Sequence, residues 1–590
     1  MYSLEIYDKI VLMYVTRVPN RNSPPAVLLR ESYRDGNKVK TRTLANLSSW
    51  SDEKVNALKS VLIGEVPKVD LLGSFEITRS LPHGAVAAVL GTLRSLGLEE
   101  MIDKEPSRNR DLVVAMITSQ IIDPTSKFGI SRGLRTETAS SSLGEVLCLS
   151  RSDEDDLYSA MDYLFSRQEK IEYELAKKHL NDGVLLLYDV SSAAFEGKTC
   201  PLGKIGHAKD GVHGRLQIVY GQLTTKEGIP VAIEVFSGNT ADPKTVLTTV
   251  KKIKERFCLN NVCIVGDRGM LTKARIEEDV SPEDLNFITV LRAPQIRSLI
   301  KEGFIQPSLF DNMDMAEIQH PDFLSQRLVV CKNPLLAKER GIKREELLIA
   351  TEKELEKIKQ QTTRERRKLK GKDKIAIEVG KVINHYRMEK HFIIEISEDS
   401  FSYSRNLETI TAEKELDGFY VIRTDLNKEV ASTAEVVSGY KALSNVERVF
   451  RNFNTDLDIR PIRHHTENRV KAHVFLRMLS CYVSWHMNER LKTMLFKDDD
   501  TEKAEELRSS PVAPAKRSES ALKKIQTKRT VDKDPVHSFE TLLRDLSTIT
   551  ANQIQPTDLD CKPFTMITVP TKLQAKAFKL LGVSHRLGYM

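Results

Sequence analysis

Residues 184–190, Val-Leu-Leu-Leu-Tyr-Asp-Val, are apolar on both faces of an extended chain and carry a carboxylate, Asp189, at their end. Residues 262–267 repeat the arrangement and close on Asp267. A strand that is apolar on both faces belongs in the middle of a sheet. A charge is admitted there only where something offsets its desolvation. Around these two segments the pattern predicts further strands at 215–224 and 229–236. In the second, Ile229, Val231, Ile233 and Val235 take one face and Glu234 the other. Glu227-Gly228 supplies a tight turn between them, which makes a hairpin. Asp242-Pro243 then reads as an N-cap followed by proline at the first helical position. Val246, Val250, Ile253 and Phe257 form the buried stripe of that helix. Residues 286–292 give a fifth strand.

The rest of the chain divides by pattern into smaller stretches. Residues 1–70 read as a hairpin, with strands at 27–34 and 38–45 about Asp35-Gly36-Asn37, and a helix after it. Residues 71–180 read as helical and as a candidate DNA-end-binding domain. Asp123-Pro124 interrupts the helices there, and the acids from Asp153 to Asp156 suit a helix start. Residues 181–295 form the first part of a core, and 296–424 an α+β insertion. The insertion includes a charged helix ending in the basic run Arg364 to Lys372. Residues 425–492 return to the core, 493–535 read as a flexible charged linker, and 536–590 as a small α-rich segment.

Composition narrows the class. The chain has 590 residues, 40% apolar and 29% charged, as expected of several globular domains. A net charge of +7 fits local contact with polyanions without establishing it. Seven scattered cysteines without a Cys-x-x-Cys pair argue against a disulfide framework or structural zinc. Neither a signal peptide nor a membrane-spanning run is evident, so a location inside the cell is expected.

Two carboxylates ending buried strands suggest a shared divalent cation, as in metal-dependent phosphoryl transfer. The order β-β-β-α-β, with acids closing the first and fourth strands, is the layout of the ribonuclease-H-like (retroviral-integrase-like) α/β fold. A third acid is then sought. Residues 438–451 read as one helix that sets Tyr440, Glu447 and Arg451 on one face. On spacing alone, Glu447 and Arg451 are better explained as an ordinary exposed ion pair. His464, His465 and His473 suggest zinc, but Thr466 is a good N-cap and the helix behind it explains them better. Residues 203–207 resemble a phosphate-cradling loop but lack the Walker spacing. Asp210 and Asp242 read as a loop acid and a helix cap.

Five blocks in order give the chain a family likeness. They are Tyr188-Asp189-Val190-Ser191, Gly206-His207-Ala208-Lys209-Asp210-Gly211, Gly238-Asn239-Thr240-Ala241-Asp242, Asp267-Arg268-Gly269-Met270, and Tyr440 through Glu447. Over residues 180–480 the chain resembles the DDE transposases of bacterial insertion sequences, in particular the IS-four-like group with an insertion in its core. The resemblance implies that Asp189, Asp267 and Glu447 are catalytic acids holding Mg²⁺ or Mn²⁺, two ions per site. It implies double-stranded DNA partners, the element's terminal inverted repeats and a target, with two copies of the chain pairing two ends. It also implies a cytoplasmic, nucleoid-associated protein of a bacterium or archaeon. Where the group's signature has arginine and lysine, this chain has Leu443 and Asn454. Lys209, His213, Arg268, Tyr440, Lys441, Arg448 and Arg451 are the candidate DNA contacts. The competing readings are a nuclease without strand transfer and a silent DNA-binding regulator.

Overall fold

A computed structural model describes the chain except for residues 1–11, 22–23, 36–37, 65–74, 198, 210–212, 312, 456, 458, 460, 557–561 and 590. It divides into two compact units, residues 1–80 with 552–566 and residues 81–551 with 567–590.

In the first unit β1 (Leu12–Val18), β2 (Ala26–Asp35) and β3 (Lys38–Asn46) form an antiparallel sheet in that order. Asp35 pairs with Lys38 as a hairpin requires; the turn residues Gly36 and Asn37 lie outside the described residues. The sequence pattern missed β1 because the strand is mostly half-buried and so lacks a clear apolar face. Helix α1 (Asp52–Leu62) starts at Ser51, whose side chain accepts from the Lys54 amide. Val27, Leu47 and Val55 make a small core. β4 (Phe75–Pro82) belongs to a separate sheet whose other strands come from the end of the chain.

The second unit begins with α2 (Gly84–Ser95), α3 (Arg108–Ile122), α4 (Glu154–Phe165) and α5 (Gln168–His179). Helix α3 stops just before Asp123-Pro124, and Asp153 caps α4 through a reciprocal box with Asp156. The large sheet follows, with β5 (Leu185–Ala194), β6 (Lys204–Ile205), β7 (Leu216–Thr225), β8 (Pro230–Ser237), β9 (Cys263–Val265) and β10 (Asn286–Val290). Helix α6 (Pro243–Lys251) connects β8 to β9. β8, β7, β5, β9 and β10 lie side by side in that order. β5 is antiparallel to β7 and parallel to β9, which puts the two acid-bearing strands next to each other.

The sheet does not stop at β10. β11 (Met315–Ile318), β12 (Arg327–Lys332) and β15 (Phe419–Thr424) extend it in the order β10-β15-β12-β11. Residues 296–424 were expected to stand apart from the core, but two of their strands, β12 and β15, are buried on both faces. Val329, Cys331 and Ile422 join the main core, while Leu328, Val330 and Val421 join a second cluster on the opposite face. The part that leaves the sheet is α7 (Pro334–Thr363), α8 (Lys372–Tyr386), β13 (Phe392–Ile396) and β14 (Phe401–Arg405). It has its own core around Leu355, Ile375, Val379, Phe392 and Phe401. Its two ends meet, since the Asn333 amide donates to the Gly418 carbonyl at 2.9 Å. Gly418 has a positive φ of 80°, and a Cβ there would lie 2.5 Å from the Asn333 carbonyl oxygen, so only glycine closes this junction. Helix α7 ends at Thr363, so most of the basic run occupies a connection rather than the helix end expected.

Residues 438–451 are not one helix. α9 (Thr433–Lys441) ends at Ala442 and α10 (Leu443–Thr455) starts immediately after, so Tyr440 and Glu447 sit on different helices. The long α11 (Glu467–Arg490) is capped by Thr466, as expected. Residues 493–535 are packed rather than linker-like. Val512 is fully buried, and in α12 (Glu519–Thr527) the buried Lys524 donates to the carbonyls of Lys492 and Lys497 at 3.1 and 2.6 Å. Lys524, which reads as solvated charge, satisfies backbone oxygens instead. The C-terminal segment carries α13 (Phe539–Leu546) and α14 (Lys572–Leu581), but also β16 (Thr550–Pro556) and β17 (Phe564–Ile567), which sheet with β4 in the order β17-β16-β4. Among the described residues no helix is long and apolar enough to cross a membrane.

Candidate active site

The last ladder pair between β5 and β9 joins Leu187 to Val265. Asp189 and Asp267 each stand two residues beyond it. β9 stops at Val265 while β5 runs on to Ala194, so the parallel register sets Asp189 within β5 and Asp267 just past β9 at one level, at the edge where β9 ends. Helix α10 packs on β5 and β7, bringing Glu447 to the same edge. The charges of Asp267 and Glu447 both raise the Asp189 pKa. Burial is the larger cause, and it lifts Asp189 to about 7, against the Val190 amide and Lys209, which lower it.

Each acid keeps oxygen capacity in reserve. Asp189 Oδ1 accepts from the Val190 amide at 2.8 Å, and Asp267 Oδ1 from the Gly269 and Met270 amides, both at 2.9 Å. Among the described residues the second oxygens of both aspartates, and both oxygens of Glu447, accept no hydrogen bond. No ion pair joins Glu447 to Arg451 among the described residues, so the alternative reading of that spacing does not hold. An all-carboxylate set with unengaged oxygens suits a hard divalent cation. Among the described residues no three His, Cys, Asp or Glu side chains stand close enough to hold one as they are.

Two features of the site were not foreseen. Asp242 occupies the N-cap position of α6 but makes no capping bond. Its carboxylate pairs instead with Lys209 Nζ at 2.8 Å, and its Oδ2 would lie 3.7 Å from a Cβ on Gly269, beside Asp267. Lys209 Nζ also donates to the Val190 carbonyl at 3.0 Å, and its amide donates to Ser192 Oγ at 2.8 Å. This lysine thus braces β5 next to Asp189 against the start of α6. The glycine blocks explain how it gets there. Cβ atoms on Gly206 or Gly238 would lie 2.0 Å or 1.9 Å from the Gly238 or Gln217 carbonyl oxygens. Gln217 Nε2 clamps the loop, donating to the His207 and Gly238 carbonyls at 3.2 and 2.8 Å. The stretch that resembled a phosphate loop is this clamp.

The remaining candidates separate. Arg268 and Tyr440 line a cavity of about 310 Å³ with Asp267, and burial pushes the Tyr440 phenol up to about 12. His213 is exposed, and Asp210 lies outside the described residues. Arg448 and Arg451 are exposed on α10. Lys441 points elsewhere: its Nζ donates to the Val512 and Ala513 carbonyls at 2.5 and 3.1 Å, so its ammonium is taken up by the protein's own backbone. The histidines are a structural pair. His464 Nε2 lies 3.3 Å from His473 Nδ1, His473 Nε2 bonds the Ile459 carbonyl, and burial depresses both pKa values.

Comparison with known proteins adds two family matches. Residues 191–483 match the Transposase DDE domain, a stretch that begins just past Asp189 and includes Asp267 and Glu447. Residues 13–66 match the IS1634 family transposase N-terminal domain. No curated protein matches the chain. Among solved structures, a cryo-EM piggyBac transposase synaptic complex with hairpin DNA aligns over 76% of this chain and 88% of its own, at 9% identity. Its TM-score of 0.31 is too low to carry weight. The two domain matches, in this order along one polypeptide, place the chain among the DDE transposases of insertion sequences.

Proposed function

We propose that Asp189, Asp267 and Glu447 are the catalytic acids of a ribonuclease-H-like core that cuts the ends of its own mobile element and joins them to target DNA. The observation that carries this is the pair of aspartates at one level, Asp189 within β5 and Asp267 just past the end of the parallel β9, each with an unengaged oxygen, under the charge of Glu447. Mg²⁺ or Mn²⁺, as a pair of ions held by these carboxylates, would supply activation of the attacking oxygen and charge stabilisation of the leaving one. The chain's own side chains account for the rest. The Val190, Gly269 and Met270 amides fix one oxygen of each aspartate. Lys209 keeps the β5 edge and Asp242 in register. Tyr440, protonated throughout the neutral range, offers a hydroxyl donor beside Arg268, and together they suit a phosphate oxygen. Water as nucleophile leaves a 3′-hydroxyl, and that hydroxyl serves as nucleophile for joining at the same acids.

The reading extends to partners and place. The DNA ends are the element's terminal inverted repeats, two copies of the chain hold two ends, residues 71–180 contribute to end binding, and the protein works on nucleoid DNA in the cytoplasm of a bacterium or archaeon. One assay tests it: purified chain, Mg²⁺, and a DNA carrying the sequences that flank its gene. Cleavage with joining is the expected result. Cleavage alone points to a nuclease, and binding alone to a silent regulator.

A further inference from the structure

A cleft of about 860 Å³ opens beside α10, between α11 and the segment first read as a linker. Arg448 and Arg451 come from α10, with Arg451 one turn beyond Glu447 on the same face. Lys516 and Arg517 enter from the other wall. Among the described residues none of these four cations is paired with a carboxylate. The acids lining the cleft are mostly occupied: Glu489 pairs with Lys497, Glu505 with Arg508, and Asp498 accepts from the Ser518 amide and hydroxyl. Glu227 is the exception. Trp485 and the exposed Phe496 put two aromatic faces into the same space. A protein gathers four uncompensated cations only against self-repulsion, which an anion relieves. Cations interleaved with exposed rings suit the phosphates and bases of a nucleic-acid strand.

We propose that this cleft holds the sugar–phosphate backbone of the DNA strand that runs from the acids, with Lys516 and Arg517 as phosphate contacts supplied by the 493–535 segment. The inference rests on the transposase reading and deepens it by naming a DNA path. Lys441 is part of the device, because its bonds to the Val512 and Ala513 carbonyls hold the start of the Lys516–Arg517 wall near α9.

The test is fluorescence anisotropy with the full chain in EDTA, so that binding is read without cleavage. One labelled duplex carries the sequence flanking the gene, and a second is scrambled. Lys516→Ala/Arg517→Ala should weaken binding about tenfold or more on both duplexes, since phosphate contacts position without reading sequence. The slope of log K against log salt should fall by about 2, at roughly 0.9 per phosphate. Arg448→Ala/Arg451→Ala, on the opposite wall, should behave alike. Unchanged affinity and slope in both pairs would overturn the proposal. So would a loss no larger than that of Lys343→Ala/Lys353→Ala, the same charge removed from exposed positions on α7. Wild-type protein that binds but neither cuts nor joins would sink the transposase reading and leave the cleft standing. Wild-type protein that cuts, while Lys516→Ala/Arg517→Ala binds as tightly, would sink the cleft alone.

Discussion

The same unit holds a second set of acids, and its contrast with Asp189 is instructive. Glu172, on α5, is fully buried, and burial pushes its pKa up as it does for Asp189. Yet its carboxylate is saturated. Oε1 accepts from the Ile233 amide at 3.0 Å and from Gln168 at 2.9 Å, and Oε2 from Lys252 Nζ at 2.7 Å. Lys252 in turn reaches Glu234 at 2.6 Å. Glu172 ties α5, β8 and the end of α6 together, with neither oxygen left unengaged. Asp189 has one backbone bond, a spare oxygen and two acidic neighbours. Burial does not separate these two carboxylates; unspent hydrogen-bonding capacity does, and the role proposed for Asp189 rests on it.

Substitutions should break the two sites in opposite ways. Asp189→Asn should lower DNA cleavage by about 10³-fold or more while leaving DNA binding intact, and leaving the thermal midpoint intact at pH 5, where the folded chain holds Asp189 protonated. Retained cleavage would remove Asp189 from the site. Glu172→Ala should do the reverse: it leaves Lys252 buried with one partner fewer, at a cost of about 3–5 kcal/mol. A urea titration should show the lower midpoint, with turnover of the folded fraction unchanged. Asp242→Asn, which frees Lys209 without touching the three acids, should slow single-turnover cleavage by about 10–100-fold, as the loss of an orienting partner does. An unaltered rate would make the Lys209–Asp242 pair ornamental.

The smallest effect is in pH. Asp189 titrates near 7 when folded and near the ordinary carboxylate value, about 4, when unfolded. Between these values the folded chain binds the additional proton, so this residue makes stability fall as pH rises. Without added metal, the thermal midpoint of the wild-type chain should therefore drop more from pH 5 to pH 8 than that of Asp189→Asn. Parallel curves would mean that the shift does not exist.

Much of this arrangement was readable along the chain, for specific reasons. Asp189 and Asp267 show because a carboxylate closing a doubly apolar run is rare and local, although β5 runs on past Asp189 to Ala194. Glu447 was singled out only through family resemblance, since its helix spacing alone favoured a surface ion pair. The break at Ala442 left no mark, because Tyr440-Lys441-Ala442-Leu443 contains neither glycine nor proline. Asp242 carried the right signal for a cap, and its true partner, Lys209, is distant in sequence. The 493–535 segment misled for a similar reason. Lys524 bonds backbone carbonyls while Lys516 pairs with no carboxylate among the described residues, and lysine count cannot tell a solvated ammonium from one that closes a fold.

The Asn333–Gly418 junction has a consequence for how such a chain can change over time. Chain that leaves and re-enters at hydrogen-bonded neighbours adds little to the entropy of closing the sheet, whatever its length. With a core of its own, the excursion behaves as a cassette in a socket, free to be lengthened, traded or trimmed while β10 and β15 stay paired. Natural variation among related chains would then gather between these two residues, and a fluorescent or affinity module grafted there should leave the acids untouched.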